Sequence, residues 1–152
     1  MSDEQKSAIG FIGEQWAFGW LKAFHKQRHN LDIDENCWVS SNRNVIYGGS
    51  AGRDDHGYDF EVRLSSTTYY YEVKASTGNP QFFEMGPTEI ATAQRYKADR
   101  DNKYRILYIA YATDPKRVAA TLLPNPFSKE GNKKIRVIGK GSVKYEFSPR
   151  EK

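Results

Sequence analysis

Two short stretches, Tyr58 to Val62 and Tyr69 to Ala75, alternate polar and apolar residues and are separated by Ser65-Ser66-Thr67-Thr68. A period of two belongs to a strand with two distinct faces, and two such runs across a short polar turn predict a β-hairpin. Nothing else in the chain constrains the fold as strongly, because a slip of one residue in register would turn every side chain to the opposite face. Centring the turn between Ser66 and Thr67 pairs Tyr58 with Ala75, Asp59 with Lys74, Phe60 with Val73, Glu61 with Glu72 and Val62 with Tyr71. The large apolar residues then share one face, and Asp59, Glu61, Glu72 and Lys74 share the other.

That polar face carries three carboxylates and one ammonium. Side chains directly opposed in an antiparallel pair sit about 5 Å apart, where like charges destabilise the sheet. Two explanations fit. The face is solvated and Lys74 neutralises Asp59, or the carboxylates hold a divalent cation, since Mg²⁺ is bound by one or two carboxylates together with waters and substrate phosphates.

With 152 residues the chain has room for a hydrophobic core without staples, and it reads as a single domain: a core over about 7–127 and a basic β tail over about 128–152. Cys37 is the only cysteine, which excludes an internal disulfide and fits a reducing compartment. No apolar run reaches the roughly 18 residues that a membrane-spanning helix needs. The opening Met1-Ser2-Asp3-Glu4-Gln5-Lys6 lacks the layout of a secretion signal, so a cytoplasmic location is expected, nuclear in a eukaryote. The net charge of +4 permits a polyanionic partner, and some of the ten tyrosines can serve as stacking surfaces for bases.

From Ser7 to His29, Ile9, Ile12, Trp16, Trp20 and Phe24 recur at steps of three and four residues, with Phe11, Phe18 and Leu21 extending the stripe, and predict a long helix with a buried apolar face. Glu14 falls inside that sector, where a carboxylate needs a partner or a metal. His25 and His29 have a zinc-compatible i, i+4 spacing but no third ligand, and a solvated helix end is expected there. Cys37 to Ser40 predicts a first short strand. Asn42 to His56 reads as a glycine-rich loop without the Lys-Ser/Thr ending of a phosphate-cradling motif, and Asp54, Asp55 and His56 read as turn residues with spare-ligand potential.

After the hairpin, Gly78-Asn79-Pro80 ends the strand, and Phe82-Phe83 anchors the crossing to a helix running from Pro87 to Arg100. Gln94 lies near the apolar face of that helix and is a candidate substrate contact. Tyr104 to Ala112 is apolar almost throughout, as an interior strand is. Leu122 to Phe127 reads as a proline-punctuated crossing, and 133–138 with 143–147 as a terminal strand pair. Lys129, Lys133, Lys134, Arg136, Lys140 and Lys144 concentrate positive charge in this tail; such runs guard sheet edges or contact phosphate backbones. The succession of helix, strand, hairpin, helix and strand predicts an α/β fold, a mixed sheet flanked by helices.

Asp59 followed by Glu72-Val73-Lys74 resembles the PD-(D/E)xK restriction-endonuclease-like nucleases. The wider pattern of Gly13-Glu14, Trp38-Val39, Tyr58-Asp59, Tyr71 to Lys74, Phe82-Phe83, Glu89 with Ala93, Tyr104 to Tyr108 and Asn125-Pro126 is similar to the C-terminal domain family of the NO VEIN protein, which also occurs in large bacterial defence-type proteins. The resemblance spans roughly Gly10 to Phe127 and excludes the glycine-rich loop and the basic tail. It implies a restriction-endonuclease-like αβββαβ core. It implies that Asp59, Glu72 and the Val73 carbonyl bind Mg²⁺ or Mn²⁺, that Glu14 completes the acidic cluster, and that Lys74 orients the attacking water and offsets transition-state charge. The expected function is a metal-dependent nuclease acting on DNA, with Lys133, Lys134, Arg136 and Gln94 as nucleic-acid contacts. A homodimer, or fusion to or association with further domains of a defence-type or nucleic-acid-processing protein, is compatible with this class. The competing readings are a non-catalytic module binding nucleic acid or protein on a nuclease-like scaffold, and a purely structural domain.

Overall fold

The computed structural model describes residues 1–138 and 144–148. Its first element, α1, runs from Asp3 to His29. Ser2 caps it: the Ser2 hydroxyl accepts the Gln5 amide at 3.1 Å and the Gln5 side chain accepts the Ser2 amide at 2.9 Å, satisfying two otherwise orphaned donors. Asn30, in the left-handed region at φ 51°, ends it. The face α1 buries keeps Phe18, Leu21 and Glu14 of the expected stripe and moves away from the rest. Gly13, Glu14, Ala17, Phe18, Leu21 and His25 are buried, while Trp16 stays 38% exposed and Ile9, Ile12 and Trp20 lie at the margins. Gly13 is small because the helix backbone comes close to the sheet there: a Cβ on Gly13 would run into the Cβ of Ala75.

The main sheet has the order β1-β2-β4-β5, formed by β1 (Phe60–Arg63), β2 (Thr68–Ala75), β4 (Asn102–Ala110) and β5 (Ala119–Leu123). The β1–β2 and β4–β5 pairs are antiparallel, and the central β2–β4 pair is parallel. A parallel pair needs a crossover, here supplied by β3 (Phe82–Glu84) and the helix α3 (Pro87–Arg95). One face of the sheet packs Phe60, Val62, Tyr71, Val73 and Leu107 against α1 and Trp38. The other packs Tyr70, Tyr104, Ile106 and Tyr108 against Ala93 of α3 and against Phe83, Ile135, Tyr145 and Phe147 of a second sheet. The order of that second sheet is β3-β7-β6, with β6 at Ile135–Ile138 and β7 at Lys144–Phe147. The expected terminal strand pair is therefore present, and β3 completes it.

Several local expectations are corrected. The hairpin turn is centred one residue earlier than expected, on Leu64-Ser65-Ser66-Thr67 with Leu64 N–H donating to the Thr67 carbonyl at 2.8 Å, and the pairing slips by two. Phe60 thus pairs with Tyr71 and Glu61 with Tyr70. A slip of two preserves the faces but changes the neighbours: continued by one step, the register brings Asp59 level with Glu72 rather than Lys74. The first strand shrinks to an isolated bridge between Trp38 and Phe60. The expected loop from Asn42 begins with a short helix, α2 (Asn42–Tyr47), and the expected crossing at Leu122 begins inside β5. Lys133 and Lys134 belong to a helical turn, α4 (Gly131–Lys134), rather than to the strand after it. Lys140 and Val143 lie outside the described residues. His25 is wholly buried rather than solvated, its Nε2 bonded to the Tyr71 hydroxyl at 2.8 Å and its Nδ1 to His29 at 3.0 Å; burial and the neighbouring His29 lower its pKa to about 4. Among the described residues no helix is long and apolar enough to cross a membrane.

Two of the three glycines of α1, Gly13 and Gly19, separate approach distance from helix propensity. Gly13→Ala is expected to cost about 1–3 kcal/mol by overpacking against Ala75, whereas Gly19→Ala, which meets nothing within 4 Å, is expected to stabilise by about 0.5–1 kcal/mol. Urea unfolding of the two variants checks both signs.

Candidate functional site

Glu72 and Lys74 are two apart on β2 and so project to the same face of the sheet, toward α3. The Lys74 ammonium lies 3.3 Å from Glu72 Oε2 and 2.6 Å from Glu89 Oε1. Glu89 occupies the first turn of α3, where its Oε1 also accepts the Gly86 amide at 3.4 Å. One lysine is thus shared between a strand carboxylate and a helix carboxylate.

Asp59 sits one residue before β1 and is pinned from three sides. Its amide donates to the Tyr71 carbonyl at 2.8 Å, its carbonyl accepts the Val39 amide at 2.8 Å, and its Oδ2 accepts the Val73 amide at 2.9 Å. Val73 lies beyond the last residue that β1 pairs with, so the Asp59 side chain stands in for the missing ladder partner. The N–H and C=O of a strand residue face the same edge, so the Val73 carbonyl faces the edge where Asp59 stands. Gly57, at φ +83°, makes this approach possible: a side chain there would be strained and would strike Thr92 and the Thr88 carbonyl of α3. The Gly57 carbonyl in turn accepts the Tyr104 hydroxyl at 2.9 Å.

Asp59 and Glu72 open into a cavity of about 200 Å³ that Asp54, Tyr58, Thr88 and Glu89 also line. Glu14 approaches from α1, on the other side of the sheet edge, and is buried. Its Oε1 accepts from Trp38 Nε1 at 2.8 Å and from the Ser40 hydroxyl, and its Oε2 accepts from Asn42 Nδ2 at 2.5 Å. These three donors come from the segment that the Trp38–Phe60 bridge fixes, which explains how a carboxylate is tolerated inside the seam of α1.

The electrostatics are adverse. Burial raises the Asp59 pKa well above the ordinary carboxylate range, and the charges of Glu72 and Glu14 add to it. Burial likewise pushes Glu72 up to about 8, with Lys74 pulling it down against Glu89 and Glu14. Glu14 is raised by burial, its three donors opposing. For Lys74 burial alone would lower the pKa, but Glu72 and Glu89 more than offset it and hold the group above its usual range. The lysine is therefore an ammonium at neutral pH.

The donor set suits a hard cation. Oxygen ligands only, two of them desolvated carboxylates that repel each other, are relieved by a divalent ion that leaves the rest of its shell to water and substrate. No three His, Cys, Asp or Glu side chains stand together as a metal cage among the described residues. Glu14, expected in one cluster with Asp59 and Glu72, has both oxygens engaged by Trp38, Ser40 and Asn42, and its charge still bears on Asp59 and Glu72. Glu61, expected on the same acidic face, is taken up by Arg63 at 2.6 Å and the Tyr58 hydroxyl at 2.9 Å.

The family model of the C-terminal region of the NO VEIN protein matches residues 14–121. The chain belongs to the NO VEIN C-terminal family. The family's span opens at Glu14 and encloses Asp59, Glu72, Lys74 and Glu89, so every acid around Lys74 lies inside the NO VEIN region. No protein of curated function and no solved structure matches the chain.

The remaining expected residues lie elsewhere. Lys133, Lys134 and Arg136 line a separate cavity of about 390 Å³, where Lys134 pairs with Glu130 at 3.0 Å and Arg136 with Glu146 at 2.6 Å. Gln94 is exposed on α3 and does not line the acidic cavity. Glu89 has two roles, as acceptor of the Gly86 amide at the start of α3 and as partner of Lys74 on β2, and the second joins elements that no local pattern connects. Asp54 is both a turn residue, accepting the Ser41 amide at 2.9 Å, and part of the cavity wall.

A pH test follows from Glu72. Its folded pKa of about 8 stands above the ordinary 4.5, so the folded state keeps a proton that the unfolded chain gives up. Stability from this group is full below about pH 4.5 and is lost as pH rises toward 8. In metal-free buffer Glu72→Gln is expected to flatten that slope and to be more stable than the wild type at pH 8, by on the order of 3 kcal/mol, as read from unfolding midpoints across the pH range.

Proposed function

We propose that this domain is a metal-dependent nuclease that hydrolyses phosphodiester bonds, with DNA as the first substrate to test. The observation that carries the reading is the Lys74 ammonium held 3.3 Å from Glu72, a carboxylate that lines one cavity together with Asp59. The sequence Asp59 … Glu72-Val73-Lys74, with its resemblance to PD-(D/E)xK nucleases, supports the same assignment, as does membership of the NO VEIN C-terminal family.

Asp59, Glu72 and the Val73 carbonyl would hold Mg²⁺ or Mn²⁺, which supplies charge neutralisation at the phosphate and a more acidic water. Lys74 provides fixed positive charge. Because Glu72 and Glu89 keep it protonated, it acts as a hydrogen-bond donor to a phosphate oxygen or to the incoming water, not as a base. Such a donor, aimed where negative charge grows on the phosphoryl group, favours the transition state over the ground state. Glu89 orients the ammonium from α3. Glu14 is a positioning residue that locks Trp38, Ser40 and Asn42 beside Asp59. In the reaction a water oxygen bonds to phosphorus, one ester P–O bond breaks, and the departing alkoxide takes up a proton, leaving a phosphate monoester and an alcohol.

A second reading, a nucleic-acid-binding module without catalysis, draws on the cluster of Lys133, Lys134 and Arg136 around a cavity that the acidic pocket does not share. Cleavage assays separate the two. Supercoiled DNA with Mg²⁺ or Mn²⁺ is expected to be nicked by the wild type, and Lys74→Ala and Asp59→Asn are expected to slow this by roughly 100-fold or more, with circular dichroism confirming that each variant is folded. Undiminished nicking by Lys74→Ala rules out the mechanism. Salt-dependent binding without products at any metal concentration points to the module.

A further inference from the structure

Tyr58, which lines the acidic cavity, begins a row of aromatic rings that leads away from it. The Tyr58 and Tyr70 ring centres are 4.7 Å apart, and those of Tyr70 and Tyr96 are 4.6 Å apart with parallel planes. On the other side the His56 ring stands 5.4 Å from Tyr58. Tyr70 is an interior link, 8% exposed, which fixes the spacing of the row. The rings on either side of it, His56, Tyr58 and Tyr96, are half-exposed. At the far end Tyr96 shares a depression of about 180 Å³ with Arg95, Arg100 and Asn102, and the Arg95 guanidinium lies 5.9 Å from the centre of the Tyr96 ring. Both arginines are exposed. At this end, away from the acids of the cavity that Tyr58 lines, Glu61 is paired with Arg63 at 2.6 Å and Asp99, which with Asp101 also lines the depression, is paired with Arg105 at 2.5 Å, leaving Asp101 to set against Arg95 and Arg100.

A row of half-exposed rings that ends in two exposed arginines suits a ligand that offers flat apolar faces and phosphates together. In a duplex the base faces are covered by their stacked neighbours. In an unpaired strand they are free to stack on tyrosine, histidine or arginine planes. We propose that the row from His56 to Tyr96, with Arg95 and Arg100 at its end, is a binding track for an unpaired segment of nucleic acid whose backbone leads into the pocket of Asp59 and Glu72. This rests on the nuclease reading and adds the substrate class to it: a single strand, or a strand opened at an end or flap.

Binding can be read without cleavage, so the two ideas fail separately. Fluorescence anisotropy with a short labelled single-stranded DNA, and with the duplex of the same sequence, is measured with Ca²⁺ replacing Mg²⁺. The single strand is expected to bind roughly tenfold tighter than the duplex. Tyr96→Ala is expected to lose roughly tenfold in single-strand affinity and Tyr96→Phe to keep it, since stacking needs the ring and not the hydroxyl. If Tyr96→Ala does not fold, the exposed Arg95→Ala and Arg100→Ala variants carry the test: each is expected to reduce the slope of log affinity against log salt by about 0.7. Equal affinity for duplex and single strand, or unchanged binding and salt slope in these variants, overturns the track even if DNA is cut. Continued cleavage by Lys74→Ala, with the single-strand preference intact, removes the nuclease mechanism and leaves the track standing.

Discussion

Two carboxylates, Asp59 and Glu72, open into one small cavity beside a single lysine, and burial together with neighbouring carboxylates, Glu72 for Asp59 and Glu89 for Glu72, holds both above the ordinary carboxylate range. Left alone, such an arrangement opposes folding, because desolvated like charges gain little from one another. The surrounding structure must therefore hold it in place. Asp59 is fixed by hydrogen bonds to Tyr71, Val39 and Val73, and Lys74 is gripped by a second carboxylate, Glu89. Strain of this kind, maintained by its neighbours, is characteristic of sites that act on a ligand rather than of sites that only stabilise a fold.

The scaffold serves this placement in detail. Gly13 lets α1 approach β2 closely enough for Glu14 to reach Trp38, Ser40 and Asn42 across the sheet edge. Gly57 lets the chain turn against Thr92 of α3 just before Asp59. The parallel β2–β4 pair buries Tyr104 behind the site, where its hydroxyl holds the Gly57 carbonyl. The crossover that a parallel pair demands delivers Glu89 at the start of α3. Each of these is a backbone requirement first, and its consequence is a side chain aimed at one cavity.

Much of this was legible in the sequence. Alternation in Tyr58 to Val62 and Tyr69 to Ala75 marked the hairpin, and because side-chain direction repeats every two residues it identified the polar face correctly while leaving the register free to slip by two. That slip matters, since it brings Asp59 level with Glu72. The stripe Ile9, Ile12, Trp16, Trp20 and Phe24 marked a helix but not its seam: hydrophobicity records what avoids water, whereas the seam is also set by how closely backbones approach, and Gly13 decides that. β5 was hidden because Ala119-Ala120-Thr121 carries little strand signal and two prolines follow closely. His25 looked like a solvated helix end because its partner, the Tyr71 hydroxyl, is remote in sequence. The site role of Glu89 was hidden because its partner, Lys74, lies on a different element.

The proposed chemistry depends on Asp59 and Glu72 holding a divalent ion, and Mn²⁺ binding tests this most directly. Electron paramagnetic resonance or calorimetric titration of the wild type is expected to show one Mn²⁺ per chain, and Asp59→Asn, which can still accept the Val73 amide, is expected to lose it while remaining folded. Mn²⁺ titrations indistinguishable between the wild type and Asp59→Asn would contradict the assignment of this pair as a cation site.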